Sequence, residues 1–182
     1  MTLPRRVLCL LTDGFEEIEA VTPVDILRRA GIEVVVASMS GTQEVAGRSG
    51  IRLLADEVFE GADPADWDML LLPGGPAVAA LRKDGRAGAL ARQFFDAGRD
   101  VAAICAAPLI LHDVGLLHGV AHTSHFSTHD ELSASGASQR VVTSGRIITS
   151  RGAGTALEFA LELVRRLAGA EEAESIARAI MA

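Results

Sequence analysis

Apolar residues in this chain fall into short unbroken runs, separated by stretches in which they recur with helical spacing. Residues 6–11 (RVLCLL) form one such run, the pattern of a strand covered on both faces. Asp13-Gly14 ends it. Residues 16–30 then read as a helix, with acids in the first turn, Arg28 and Arg29 in the last, and Gly31 as the stop. Residues 33–38 (EVVVAS) make a second strand and complete a β-α-β unit. Short strands are expected at 51–54 and 57–59, after a turn-rich stretch from 40 to 50. A buried strand at 68–72 (DMLLL) ends in Pro73-Gly74-Gly75, and helices follow at 77–82 and 86–97. Residues 100–104 form the next strand. Pro108 fits only the first turn of the short helix that ends near Gly115. Residues 139–143 and 146–150 pair as a hairpin around Ser144-Gly145. Helices at 155–167 and 171–181 close the chain.

Strands alternating with helices predict an α/β fold: a mostly parallel sheet with helices on both faces. No repeat or interdomain linker interrupts the pattern, and 182 residues suit a single domain spanning 1–182. Aromatic residues are scarce, with one Trp, six Phe and no Tyr, so Ala, Val, Leu and Ile must fill the core. That favours layered α/β packing over an aromatic-rich barrel. The net charge is −7 and no Lys/Arg run occurs, which argues against binding to nucleic-acid backbones. No apolar stretch approaches the roughly 20 residues of a membrane helix. The opening MTLPRRVLCLLTDG reads as a first strand rather than a signal peptide, because its apolar run is short and lacks a small-residue cleavage site. Two cysteines make no disulfide framework, and they point to a reducing, cytoplasmic setting.

Cys105 stands where the strand at 100–104 turns into a helix. This is the arrangement of a nucleophile elbow, at the sheet edge where open α/β folds bind ligands. Helix N–H groups facing the sulfur are expected to lower its pKa and favour the thiolate. The competing reading is a small apolar residue filling the core. Cys9, mid-strand between Leu8 and Leu10, takes that reading. Glu16, Glu17 and Glu19 crowd one helical turn. Acids at a helix start complement its dipole, and Glu16 is read so. Glu19 lies between the apolar stripes Ala20-Val24-Leu27 and Ile18-Val21. If both stripes are covered, Glu19 is partly buried, protonated and able to donate a hydrogen bond to a thiolate. Gly74 and Gly75 either form a plain turn or, with the N–H of Ala106, an oxyanion hole. His122, His125 and His129 cluster in AHTSHFSTHDEL. Their spacing admits a metal site, but no Cys joins them and no HExxH pattern is present, so no metal is expected. A general base near Cys105 is the stronger reading for one of them.

Together the segments GFEEIEAVTPVDILRRAGIEVVVAS, LLLPGG, AAICAAP and ITSRGAGTALEFAL resemble the DJ-1/PfpI (ThiJ) superfamily, in its DJ-1-like branch, nearly end to end. The resemblance implies a flavodoxin-like three-layer α/β sandwich and a homodimer. It implies a nucleophilic, easily oxidised Cys105, a protonated Glu19 bonded to that sulfur, and His125 nearby, with His122 one turn away as the alternative. Backbone N–H groups of Gly74, Gly75 and Ala106 complete the implied site. The peptidase-like branch has His directly after the cysteine; Ala106 at that position argues against a protease. Ala107 replaces a common glycine. Arg28 and Arg48 match arginines near a dimer-side pocket, or serve surface solubility.

The implied activity is cofactor-free conversion of methylglyoxal and other small α-oxoaldehydes to hydroxy acids, with deglycation of early adducts as a related claim. The thiolate would attack the aldehyde, Glu19 would move the proton between adjacent carbons, and His125 would assist. Two alternatives stand beside it. In one, Cys105 is a stress sensor or part of a chaperone, oxidised to sulfinic acid and held by Glu19. In the other, the protein is an interaction module whose thiol is incidental. The expected partners are a small aldehyde substrate and a second copy of the chain docked through the first helix, with no membrane.

Overall fold

The computed structural model describes residues 4–132 and 138–182. Seven strands form one sheet in the order β5-β2-β1-β6-β7-β9-β8. They are β1 (Arg6–Leu11), β2 (Glu33–Ser38), β5 (Glu57–Val58), β6 (Met69–Leu72), β7 (Asp100–Ile104), β8 (Val141–Ser144) and β9 (Ile147–Ser150). All pairs are parallel except the β8–β9 hairpin at one edge. The helices are α1 (Glu17–Arg29), α2 (Ala77–Asp84), α3 (Arg86–Asp96), α4 (Pro108–Asp113), α5 (Ala156–Ala168) and α6 (Ala170–Ala179). The remaining strands, β3 (Glu44–Ala46) and β4 (Arg52–Leu54), pair with each other as a separate ribbon. The turn-rich reading of 40–50 misses β3, because only Val45 in it is buried and three residues carry no period.

Alternation along each strand splits the core in two. Val7, Cys9 and Leu11 of β1 face a cluster with Ile26, Leu27, Phe159 and Leu163, from α1 and α5. Leu8 and Leu10 face a second cluster with Leu81, Phe94 and Ile110, from α2, α3 and α4. The result is a three-layer sandwich. Cys9 is wholly buried, and burial raises its thiol pKa. Among the described residues no helix is long and apolar enough to cross a membrane.

The strand order positions the site. From β1 the chain crosses to β2 on one side, and β6 later pairs on the other side of β1. Connections leaving β1 and β6 therefore diverge, which opens a crevice at their carboxyl ends. Into that crevice come the start of α1 after β1, the turn after β6 and, one strand over, the turn after β7.

Candidate active site

Strand β7 is fully buried up to Ile104, and the chain then turns sharply at Cys105. Cys105 has φ 65°, a left-handed conformation that costs a non-glycine residue on the order of 1–3 kcal/mol. Long-range backbone bonds hold it there. Its N–H donates to the Ser150 carbonyl at 2.9 Å, and its carbonyl accepts from the His125 N–H at 2.8 Å. The strained turn aims the side chain out of the sheet edge, and Sγ accepts from the N–H groups of Gly75 and Ala106.

Three glutamates open α1, and each does something different. Glu16 is the N-cap and its carboxylate accepts the Glu19 N–H at 2.8 Å. Glu17 turns to the loop after β3, where it accepts the Ser49 N–H at 2.7 Å. Glu19 is 1% exposed and reaches the sulfur. Its carboxyl bonds Cys105 and accepts N–H groups from Gly74, at 3.1 Å, and Ala153. Burial raises Glu19 to about 7, with the Glu16 charge adding to the shift against the bonds from Cys105, Gly74 and Ala153. Burial first, and then the charge of Glu19, pushes the Cys105 thiol up to about 12. This reverses the lowering expected from helix N–H groups, because burial, with the Glu19 charge behind it, outweighs them. The two groups are hydrogen-bonded to each other, so their titrations are coupled. Once a proton sits on Glu19, the repulsion vanishes, the carboxyl donates to sulfur, and the two N–H groups favour the thiolate. The pair titrates as a unit.

His125 lies on the segment after α4. Its Nδ1 accepts the Ser127 N–H at 3.2 Å and lies 2.8 Å from Ser127 Oγ. Because Nδ1 accepts an N–H, the neutral ring carries its proton on Nε2. Burial lowers the His125 pKa, helped by His129 and Arg48. Cys105 and His125 face a common cavity of about 340 Å³, walled also by Arg48, Val78, Arg82 and Leu109. That volume suits a small molecule.

The sequence pattern of the DJ-1/PfpI family matches residues 5–166. The chain belongs to the DJ-1/PfpI family. It is 38% identical to the Parkinson disease protein 7 homolog of Danio rerio, over 94% of each chain. It is 34% identical to a Caenorhabditis elegans protein named glutathione-independent glyoxalase DJR-1.2, over 97% of this chain and 96% of that one. The solved structure of oxidized Toxoplasma gondii DJ-1 superposes with a TM-score of 0.91 at 35% identity, covering 97% of this chain and 98% of that one. The flavodoxin-like architecture of the family is the one observed here.

Within this DJ-1 frame, Cys105, Glu19 and His125 converge. A Cβ built on Gly152 would lie 3.4 Å from His125 Cδ2, 3.6 Å from Glu19 Oε1 and 3.9 Å from Cys105 Sγ. Gly152, at φ 156° and ψ −168°, occupies backbone space essentially closed to other residues. Sequence reading gave it no role, although RGAG hints at such a turn. His122 is not brought to the cysteine. Its Nδ1 lies 2.7 Å from the Val120 carbonyl, and it lines a larger cavity of about 560 Å³ with His112 and His118. Among the described residues no group of three or more His, Cys, Asp or Glu is placed to hold a metal ion. Gly75 and Ala106 offer their N–H groups at the sulfur, but Gly74 does not, because Glu19 takes its N–H. Glu19 is also not buried by a covered Ile18-Val21 stripe. Ile18 is 53% exposed and Val21 48%; the carboxyl is buried because it points inward beneath Gly74 and the elbow.

Gly74 carries the first prediction. A Cβ there would lie 2.5 Å from Glu19 Oε2, 2.6 Å from Cys105 Cβ and 2.8 Å from the Ile104 carbonyl. The Cys105 Cβ and the Ile104 carbonyl cannot retreat without moving the elbow. Gly74→Ala should cost about 2–3 kcal/mol in urea unfolding and slow iodoacetamide labelling of Cys105. A stability within about 0.5 kcal/mol of wild type would contradict the close approach.

Proposed function

We propose that this chain is a glutathione-independent glyoxalase acting on methylglyoxal and other small α-oxoaldehydes, and producing 2-hydroxy acids. The observation that carries the reading is the hydrogen-bonded Glu19–Cys105 pair, whose cysteine lines a small cavity together with His125. The thiolate attacks the aldehyde carbon C1, forming an Sγ–C1 bond, and the oxygen takes up a proton. The C1 hydrogen leaves as a proton while its electron pair passes toward the C2 carbonyl, giving an enediol. Reprotonation at C2 gives a thioester of the 2-hydroxy acid. Water then cleaves the Sγ–C1 bond and returns the thiol. C1 is oxidised by two electrons and C2 reduced by two, so the reaction needs no external electron acceptor. Glu19, bonded to the sulfur and half protonated near pH 7, takes the proton from C1 as the carboxylate and returns it at C2, and His125 Nε2 serves the C2 oxygen. The C. elegans relative's name supports the same chemistry. The test is lactate measured by chromatography from methylglyoxal without glutathione. Catalytic turnover is expected, and lactate at background would sink the proposal. Loss of methylglyoxal alone does not count, because any thiol traps it reversibly.

The second reading is oxidation sensing, with Cys105 carried to sulfinic acid and the oxygens held by Glu19 and the Gly75 and Ala106 N–H groups. It is supported by the T. gondii relative, whose structure is that of an oxidized form. We also propose a cytoplasmic homodimer formed through α1, since Ile18 and Val21 leave an apolar stripe in solvent beside the site. Sedimentation at micromolar concentration should show a dimer, and Ile18→Arg a monomer. A wild-type monomer would overturn this.

A further inference from the structure

Arg82, in the last turn of α2, is one wall of the Cys105 cavity, and its guanidinium is held by two carboxylates from elsewhere in the chain. Nε and Nη2 donate to Asp113 at 2.7 and 2.9 Å, and Nη1 and Nη2 donate to Glu131 at 3.1 and 2.7 Å. Both pairs are two-pronged, the geometry in which a guanidinium orients its partners as well as attracting them. The Arg82 side chain is 25% exposed and its partners Asp113 and Glu131 are 37% and 53% exposed, so the clamp holds through its two-pronged geometry rather than through burial.

The two partners lie on the elements that carry the site. Asp113 ends α4, the helix that begins just beyond Cys105. Glu131 ends the segment that carries His125, and a short chain of bonds joins them. The Thr128 N–H and hydroxyl both donate to the His125 carbonyl, at 3.0 and 2.8 Å. The Glu131 and Leu132 N–H groups donate to the Thr128 carbonyl at 3.0 and 2.8 Å. Residues 125–132 therefore behave as one knot with two anchors. One is the His125 N–H on the Cys105 carbonyl, and the other is Glu131 on Arg82. Nothing about residue type alone marks this clamp, since the partners of Arg82 lie 31 and 49 positions away.

We propose that Arg82 is a positioning residue for His125: by clamping Glu131 to Asp113 it fixes the histidine segment against the helix that follows Cys105, and so sets the imidazole over the cavity. Its part in turnover rests on the glyoxalase reading above; its effect on His125 does not.

The test follows the His125 imidazole by NMR titration, in wild type, Arg82→Gln and Glu131→Gln. Glu131→Gln cuts only the histidine arm and keeps the Arg82–Asp113 pair, so it decides the question if Arg82→Gln folds poorly. The ring is held near Arg48 and His129 and is partly desolvated, so in wild type it titrates below the ordinary histidine value. Either variant should release the segment, expose the ring and move its titration up toward that value, with Arg82→Lys restoring part of the shift. In lactate assays, Arg82→Gln should lower kcat about tenfold, and Arg82→Gln with His125→Ala should be no slower than His125→Ala alone. An unchanged His125 titration in both variants, or losses that multiply in the double variant, would overturn the clamp. If wild type forms no lactate, the glyoxalase reading fails, and the NMR titration alone judges Arg82.

Discussion

Replacing Cys105 by serine is expected to bring lactate formation from methylglyoxal to background, a loss on the order of 10³-fold or more. The hydroxyl is a close steric match and should keep the elbow, its φ of 65° and the bonds to Ser150 and His125, so the fold should survive. What disappears is an ionisable nucleophile. A serine hydroxyl stays protonated at neutral pH unless a base removes its proton, and the neighbouring group here is a carboxyl that prefers to hold its own. The comparison separates the readings. In a glyoxalase the variant loses lactate while a thermal melt stays near wild type. In an oxidation sensor, wild type makes no lactate, and peroxide adds two oxygens to wild type but none to the variant. In a module with an incidental thiol, neither readout responds. Lactate production surviving in Cys105→Ser would remove the cysteine from the mechanism altogether.

Much of this site is legible in the residues because it is built from local punctuation. A buried run ending in one cysteine before Ala-Ala-Pro marks an elbow, since only the first turn of a helix accepts Pro108. The glycines after LLLP mark a turn where backbone must come close, and in the structure Gly74 meets Glu19 and Cys105 at distances no side chain would allow. What sequence does not show is how groups far apart divide their hydrogen bonds. The Gly74 N–H is free for an oxyanion in a linear reading and is taken by Glu19 in the fold. The thiol pKa is lowered by its own helix in a linear reading and raised by burial, and then by the α1 carboxyl of Glu19, in the fold. Arg82 and Gly152 escape notice for the same reason, because their partners are assembled by the sheet order. His125 and His122 cannot be told apart by spacing. A backbone bond from His125 to the Cys105 carbonyl separates them.

Glu19→Gln carries the second large expected effect, and it reaches both turnover and stability. The amide fills the same space and still accepts the Gly74 N–H, but it cannot give up or receive a proton. Turnover should fall by about 10²- to 10⁴-fold, the range of a lost general acid–base. Stability should change in its pH dependence. Glu19 is almost fully buried, and its pKa rises on folding from 4.5 to about 7. The folded state therefore holds this proton more tightly than the unfolded chain does. That preference stabilises the fold in full below pH 4.5, and it is lost as the pH climbs through about 7. Over that window wild type should lose roughly 3 kcal/mol from this group. Urea unfolding at pH 4.5 and pH 8 measures it, and in Glu19→Gln the drop between the two should shrink by about that amount. An identical drop in both proteins would mean that folding does not raise the Glu19 pKa and that the carboxyl is ionised well below neutral pH. The carboxyl would then be an acceptor only, and the proton transfer at C1 would have to pass to His125.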